Sequence, residues 1–163
     1  MFRYLMPLLF SLTATWDALA QAPDVEDMPS RFYSYYDKGD ADGISSLYAE
    51  DATLYSSTGM PLIVGRQQIQ EYFRQIFSTS ESRHLKPIQG HWQKYGNFAI
   101  RSSTANVDVE LKDGTKLSVP LRATYVFQKG PQGWLIVHHH VSRESPSPAN
   151  GPSQAQRSGT GRR

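Results

Sequence analysis

Lys116-Leu117-Ser118-Val119-Pro120-Leu121-Arg122-Ala123-Thr124-Tyr125-Val126-Phe127 alternates almost without a break between apolar and polar residues. Successive side chains of an extended chain point to opposite faces. Leu117, Val119, Leu121, Ala123, Tyr125 and Phe127 therefore share one side, and Ser118, Pro120, Arg122 and Thr124 the other. A strand with one apolar and one polar face belongs to an antiparallel sheet covered on one side. Upstream, Lys112-Asp113-Gly114 is a hairpin turn with the favoured Asp-Gly pair. Before it, a long strand runs from Phe98 to Val109, a turn lies at Gly96-Asn97, and a mixed stretch covers Arg83 to Trp92. Downstream, Lys129-Gly130-Pro131-Gln132-Gly133 turns the chain into a last strand, Trp134 to Val141. Trp134 and Ile136 point one way along it, and Leu135, Val137 and Val141 the other. A strand apolar on both sides is expected at the centre of the sheet or beneath a second subunit.

The part before this meander has a different period. Val25, Met28, Phe32 and Tyr35/Tyr36 recur every three or four residues, as on one helix face. Lys38-Gly39 reads as its end. Asp40 then caps a short second helix carrying Ile44, Leu47 and Tyr48. Ala52 to Tyr55 is β-like, Thr58-Gly59-Met60-Pro61 is a turn, and Leu62 to Val64 is a short strand. After Gly65 the helical period returns through Ile69, Phe73, Ile76 and Phe77, with Tyr72 beside them. Helices followed by a hairpin-linked meander define an α+β domain, a curved antiparallel sheet wrapped by N-terminal helices.

The ends are of another kind. Arg3, an apolar run from Tyr4 to about Trp16 and Ala18-Leu19-Ala20 have the order of a signal peptide cut after Ala20. The alternatives are a buried first helix or a membrane anchor. A membrane span needs about 20 apolar residues, and Asp17 interrupts the run sooner. The expected organisation is a signal peptide over 1–20, one domain over 21–143 and a disordered tail over 144–163 rich in Ser, Pro, Gly and Gln. The expected location is secreted or periplasmic, with no membrane attachment after cleavage.

Composition excludes several classes. There is no cysteine, so disulfides and thiolate metal sites are ruled out. The formal charge is +2, and basic residues are interspersed with acidic ones, which leaves no stripe for nucleic acid. No Gly-rich phosphate loop supports a nucleotide, and no cofactor is expected.

Two stretches resemble a known group. Lys38-Gly39-Asp40-Ala41-Asp42-Gly43-Ile44, Leu47-Tyr48-Ala49-Glu50-Asp51-Ala52-Thr53 and Gly65 before Ile69 resemble the opening of the nuclear transport factor 2-like (SnoaL-like) superfamily. Arg122 to Phe127 with Gly133 to His140 is similar to its SgcJ/EcaC-type branch and to the association domain of calcium/calmodulin-dependent protein kinase II. The resemblance spans Val25 to Ser142 and implies a cone-shaped pocket. That pocket serves isomerases, cyclases, dehydratases and oligomerisation hubs alike, so it constrains function little. Relatives pair through the outer face of the sheet, which implies a homodimer or higher homo-oligomer.

The resemblance also tests particular chemistries. Steroid isomerases use an Asp base with a Tyr and a protonated Asp as oxyanion hole. Matched on Lys38–Thr53, the tyrosine position holds Phe32, the base position Ser56, and the second acid falls near Ala123 or Arg122, so ketosteroid isomerisation is rejected. Matching to the kinase association domain puts its pocket arginines at Arg101, Tyr125 and Val141, and its helical pocket histidine at Ile69. His139 then points inward with Val137 and Val141.

The consecutive histidines His138-His139-His140 invite a metal reading. Only His138 and His140 share a strand face, and a catalytic zinc site has three protein ligands, so His84 or His91 would have to help. Hydrogen bonding within the sheet or at a subunit interface is the simpler reading, and no metal is expected. Arg101, Tyr125 and His139 form the candidate ligand site, with Val137, Val141, Tyr36 and Tyr55 around it. A cation, a phenol and an imidazole facing an apolar cavity suit a small acidic or carbonyl-bearing ligand. The domain then either binds without turnover or is a cofactor-independent enzyme, with His139 and Tyr125 catalytic. In the second case His139 shuttles a proton and Arg101 or Tyr125 stabilises an oxyanion. A third possibility is an oligomerisation module. Competing structural roles are an Arg101–Asp51 pair, a purely core Tyr125 and an Asp51 that fixes a turn.

Overall fold

The computed structural model describes residues 24–144. The readings of 1–20 as a signal peptide and of the tail after Glu144 lie outside the described residues. A single 3-10 turn, Val25–Asp27, leads into α1 (Met28–Lys38) and α2 (Ala41–Ser45). Then come β1 (Tyr48–Tyr55), β2 (Ile63–Val64), α3 (Arg66–Ser78), β3 (Ser80–Tyr95), β4 (Phe98–Leu111), β5 (Lys116–Gly130) and β6 (Gly133–Arg143).

Local chemistry sets the helix ends. Asp24 and Asp27 cap the first turn reciprocally, each carboxylate accepting from the other residue's backbone N–H. Pro29 sits in the first turn of α1, where no donor is missed. The helix stops at Gly39, φ 69°, in a Schellman motif: the Asp40 N–H donates to Tyr35 O at 2.9 Å and the Gly39 N–H to Tyr36 O at 3.1 Å. The Asp40 carboxylate then accepts from the Gly43 N–H at 2.8 Å and opens α2. Tyr48 does not extend that helix's apolar face as the sequence suggests. α2 ends at Ser45, and Tyr48 is instead the first residue of β1, fully buried.

The sheet has the order β2-β1-β6-β5-β4-β3. Its pairs are antiparallel except β1 with β6, which run parallel and are joined through β2, α3 and the rest of the meander. β6 is an interior strand, as its two apolar sides predict. The alternation read from β5 holds, with Tyr125 and Phe127 buried where helices cover the sheet and Leu117 exposed beyond them. Phe32 of α1 and Ile69, Phe73 and Phe77 of α3 close over the concave face, where they meet Tyr48, Leu54, Phe127 and Ile136.

One irregularity decides the inner surface of β6. Val126 pairs with His138 and Phe127 with Ile136, so β6 carries one extra residue, Val137, at a bulge. Strict alternation would put Ile136 and His139 on opposite faces. The bulge turns both inward, and they are 1% and 2% exposed.

Ile69 is wholly buried at the centre of α3's inner face. Ile69→Ala should cost about 2–5 kcal/mol in urea unfolding. Val64→Ala, at a position 55% exposed on the edge strand, should cost under about 0.5 kcal/mol. Equal costs at the two positions would contradict this core.

Candidate functional site

Trp92, Arg101, Tyr125, His139 and Leu54 are successive Cα partners across β3, β4, β5, β6 and β1. They form one row across the inner face of the sheet. Above part of that row lies a hollow of about 70 Å³, walled by Phe32, Tyr36, Tyr72 and Phe73 from the helices and by Leu121, Tyr125, His139 and Val141 from the sheet. Ser56, Ser57 and Ser103 also border it, and among the described residues no Asp, Glu, Lys or Arg does.

His139 is the most constrained member. Its Nδ1 lies 2.7 Å from the Tyr48 hydroxyl. Its ring stacks on Tyr125 with centroids 4.0 Å apart and planes 20° apart, and the Phe32 ring meets it edge-on at 5.6 Å. Nε2 is buried and has no hydrogen-bond partner among the described residues. Burial, assisted by His138 and His140, pushes the imidazole down to about 3, so it is neutral at ordinary pH. The phenols move the other way. Burial raises Tyr36 to about 12 and also raises Tyr72, while Tyr48 and Tyr125 are pushed well above the usual phenol range. All four keep their protons, and three of them, Tyr36, Tyr72 and Tyr125, line the hollow as neutral groups in an aromatic wall.

Arg101 is buried, 8% exposed, yet it does not border the hollow. Its guanidinium carbon lies 5.8 Å from the Trp92 ring centroid, within cation–π range. The rest of the group lies over Gly90, and a Cβ built there would come within 2.5 Å of Nη2. Gly90 is thus a cradle for the guanidinium. Nη1 is the second buried side-chain atom without a partner among the described residues. The suggested pair with Asp51 does not form, because Asp51 is exposed on β1, two strands beyond β5 in the sheet order.

The sequence-based set is therefore divided. Tyr36, Tyr125, His139 and Val141 share the hollow, and Arg101 adjoins Tyr125 in the row without reaching the hollow. Val137 occupies the bulge and does not border the hollow, because the extra residue breaks the alternation that would have turned it inward. Tyr55 is 45% exposed and packs against His138 and His140 at 6.4 and 5.6 Å, on the outer face. His138 bonds through Nδ1 to Thr53 Oγ1 at 2.7 Å, and His84 pairs with Asp37 at 2.6 Å. Among the described residues no group of three His, Cys, Asp or Glu side chains is placed to hold a metal ion.

Sequence reasoning missed Tyr48 because three- and four-residue spacing carried it onto α2. A β-favouring aromatic just after the helix-capping segment was the available signal.

Burial of His139 has a pH consequence. Its folded value, about 3, lies below the ordinary 6.5, so between the two the unfolded chain binds the extra proton. Stability is then complete above pH 6.5 and falls with pH by about 1.4 kcal/mol per unit. His138, lowered chiefly by burial, adds in the same direction. Urea unfolding at pH 7 and pH 5 should show the loss, and His139→Gln should flatten it. An equal slope in both proteins would contradict a buried neutral imidazole.

The SnoaL-like domain pattern matches residues 25–146. Solved structures with the same fold include a nuclear transport factor 2 superfamily protein from Salmonella enterica serovar Typhimurium. It is 23% identical over 78% of this chain and 93% of its own, with a TM-score of 0.69. A proposed calcium/calmodulin-dependent protein kinase II association domain from Xanthomonas campestris is 22% identical over 74% of this chain and 85% of its own, with a TM-score of 0.67. A ketosteroid isomerase-like protein from Erwinia carotovora atroseptica is 18% identical over 75% of this chain and 95% of its own, with a TM-score of 0.64. At these identities the structures speak for the fold alone. With its helices, its curved sheet and a pattern match over most of its length, this chain belongs to the SnoaL-like domain family.

Proposed function

We propose that this domain is an exported, ligand-binding member of its family. Its ligand is small and mostly apolar, and bears a carbonyl or carboxylate oxygen. The observation that carries the reading is a coincidence of two orphaned atoms. Among the described residues, the buried side-chain nitrogens without a partner are Arg101 Nη1 and His139 Nε2, and both lie in the row that contains Tyr125. A buried polar group left unpaired costs about 1–3 kcal/mol. A ligand with acceptor oxygens reverses that cost at whichever group it reaches.

Size refines the class. About 70 Å³ is several times the roughly 10–15 Å³ that admits one water, and well below the ~300 Å³ of an ordinary drug-sized pocket. The hollow therefore takes one ring or a short chain. The aromatic wall supplies most of the contact, and His139 and Tyr125 supply orientation. A longer acidic ligand would have to run along the row past Tyr125 to reach Arg101.

Binding fits the site better than turnover does. Neither ring nitrogen of His139 is a proton shuttle near neutral pH, since Nδ1 is engaged by Tyr48 and burial suppresses the charged form. Among the described residues no carboxylate borders the hollow to replace it. Pairing of two copies through the outer face of the sheet completes the proposal. That face carries a shallow polar trough between His91, Ser102, Thr104, Arg122, Thr124 and His140.

Native mass spectrometry tests both parts. The protein is titrated with acetophenone, a neutral carbonyl probe that fits the hollow, and with 4-phenylbutyrate, an acidic one long enough to run past Tyr125. His139→Ala should weaken the bound probe at least about tenfold, roughly 1.4 kcal/mol, and Arg101→Ala should weaken 4-phenylbutyrate alone. Val64→Ala should change neither, and the intact mass should be that of a dimer. Unchanged binding of both probes in both site variants would remove the site, and a monomer at high concentration would remove the pairing.

A further inference from the structure

The buried Tyr48–His139 pair holds information that the hollow's lining alone does not. The Tyr48 side chain is fully enclosed, and its one hydrogen bond among the described residues is to His139 Nδ1, at 2.7 Å. A neutral imidazole carries one proton, on Nδ1 or on Nε2. These alternatives leave different atoms unsatisfied.

If the proton sits on Nδ1, that N–H donates to the phenol oxygen. The phenol O–H must then turn away into apolar surroundings, and the Nε2 lone pair also stays unpaired. If the proton sits on Nε2, the phenol O–H donates to the Nδ1 lone pair. One group alone, the Nε2–H, is then left without a partner. Each unmet buried polar group is costly, so the second arrangement is favoured. The groups packed against the ring do not reverse the preference. Tyr125 meets it face-on and Phe32 edge-on, and neither presents a hydrogen-bond acceptor to Nε2.

We propose that Tyr48 is a positioning residue that fixes His139 as the Nε2–H tautomer, so that the imidazole is a hydrogen-bond donor reserved for an acceptor atom of the ligand. This deepens the ligand-binding reading and rests on it for the word ligand. The tautomer itself stands on the protein alone. The consequence is specificity by polarity. The ligand end that reaches His139 is a carbonyl, ester or carboxylate oxygen. An amine or amide N–H end would meet Nε2–H donor to donor and is rejected. Tyr48 never touches the ligand and sets this rule through one bond to a ring that does.

The test is long-range proton–nitrogen NMR of the full chain labelled with 15N-histidine, without any added probe. His139 is assigned by its loss in His139→Asn. A protonated-type shift at Nε2 with an unprotonated-type shift at Nδ1 is expected. The reverse, or an even mixture, would overturn the proposal and leave the mass-spectrometric test of binding untouched. Tyr48→Phe removes the phenol with little change in shape and should let both tautomers appear. An unchanged Nε2–H preference in that variant would overturn the role of Tyr48. The unsubstituted protein's spectrum decides the tautomer even if Tyr48→Phe does not fold.

Discussion

Val137 has no opposite number on β5: the register passes from Phe127–Ile136 to Val126–His138 and leaves it over. The inner surface depends on that surplus residue. Two faces alternate along a strand, so one insertion exchanges them for everything that follows. Before the bulge Ile136 faces the core; after it His139 and Val141 do. Were the same residues to run in unbroken alternation with no bulge, His138 and His140 would face the helices. His139 would lie outside, and the enclosed Tyr48 hydroxyl would lose its partner. β1 adjusts in concert, since its register against β6 also shifts between Tyr48 and Thr53. The parallel neighbour thereby places Tyr48 against His139 within the core and Thr53 against His138 outside it.

The enclosed polar groups are then stabilised by different means. The imidazole is kept neutral and bonded on one side, which avoids the larger cost of burying its charged form. The guanidinium is a cation with five donors and no acceptor. It is accommodated by an aromatic neighbour and by a glycine that yields it space, not by a carboxylate. Arg101 and His139 stand on either side of Tyr125, two strand spacings apart, about 10 Å. The phenol between them separates a charged position from a neutral one, and the hollow belongs to the neutral side.

Much of this was legible in the sequence, for identifiable reasons. The alternation of Leu117 to Phe127 carries the face assignment of β5, the Asp113-Gly114 pair its hairpin, and Lys38-Gly39-Asp40 the end of one helix and the start of the next. The inward direction of His139 came from resemblance, since counting by twos from Ile136 puts it on the wrong face. A bulge leaves no compositional mark in Leu135-Ile136-Val137-His138, where every residue suits a strand. For the same reason, alternation counted back from His139 puts Val137 on the pocket wall. The outward turn of Tyr55 depends on the parallel pairing to β6, which no local pattern announces. Tyr48 sits where helical and strand periods overlap, and contacts distant in sequence decided between them.

The account turns on which of three consecutive histidines the bulge sends inward, and chemical accessibility reads that directly. The folded protein is treated briefly with diethyl pyrocarbonate near neutral pH, and modification of each histidine is located by fragment-ion mass spectrometry. His84, with a side chain 60% exposed and outside the trough of the proposed pairing face, should be modified readily, and His139, 2% exposed, should resist until the protein is unfolded. Modification of His139 in the folded state as fast as that of His84 would contradict the inward turn and the site built on it.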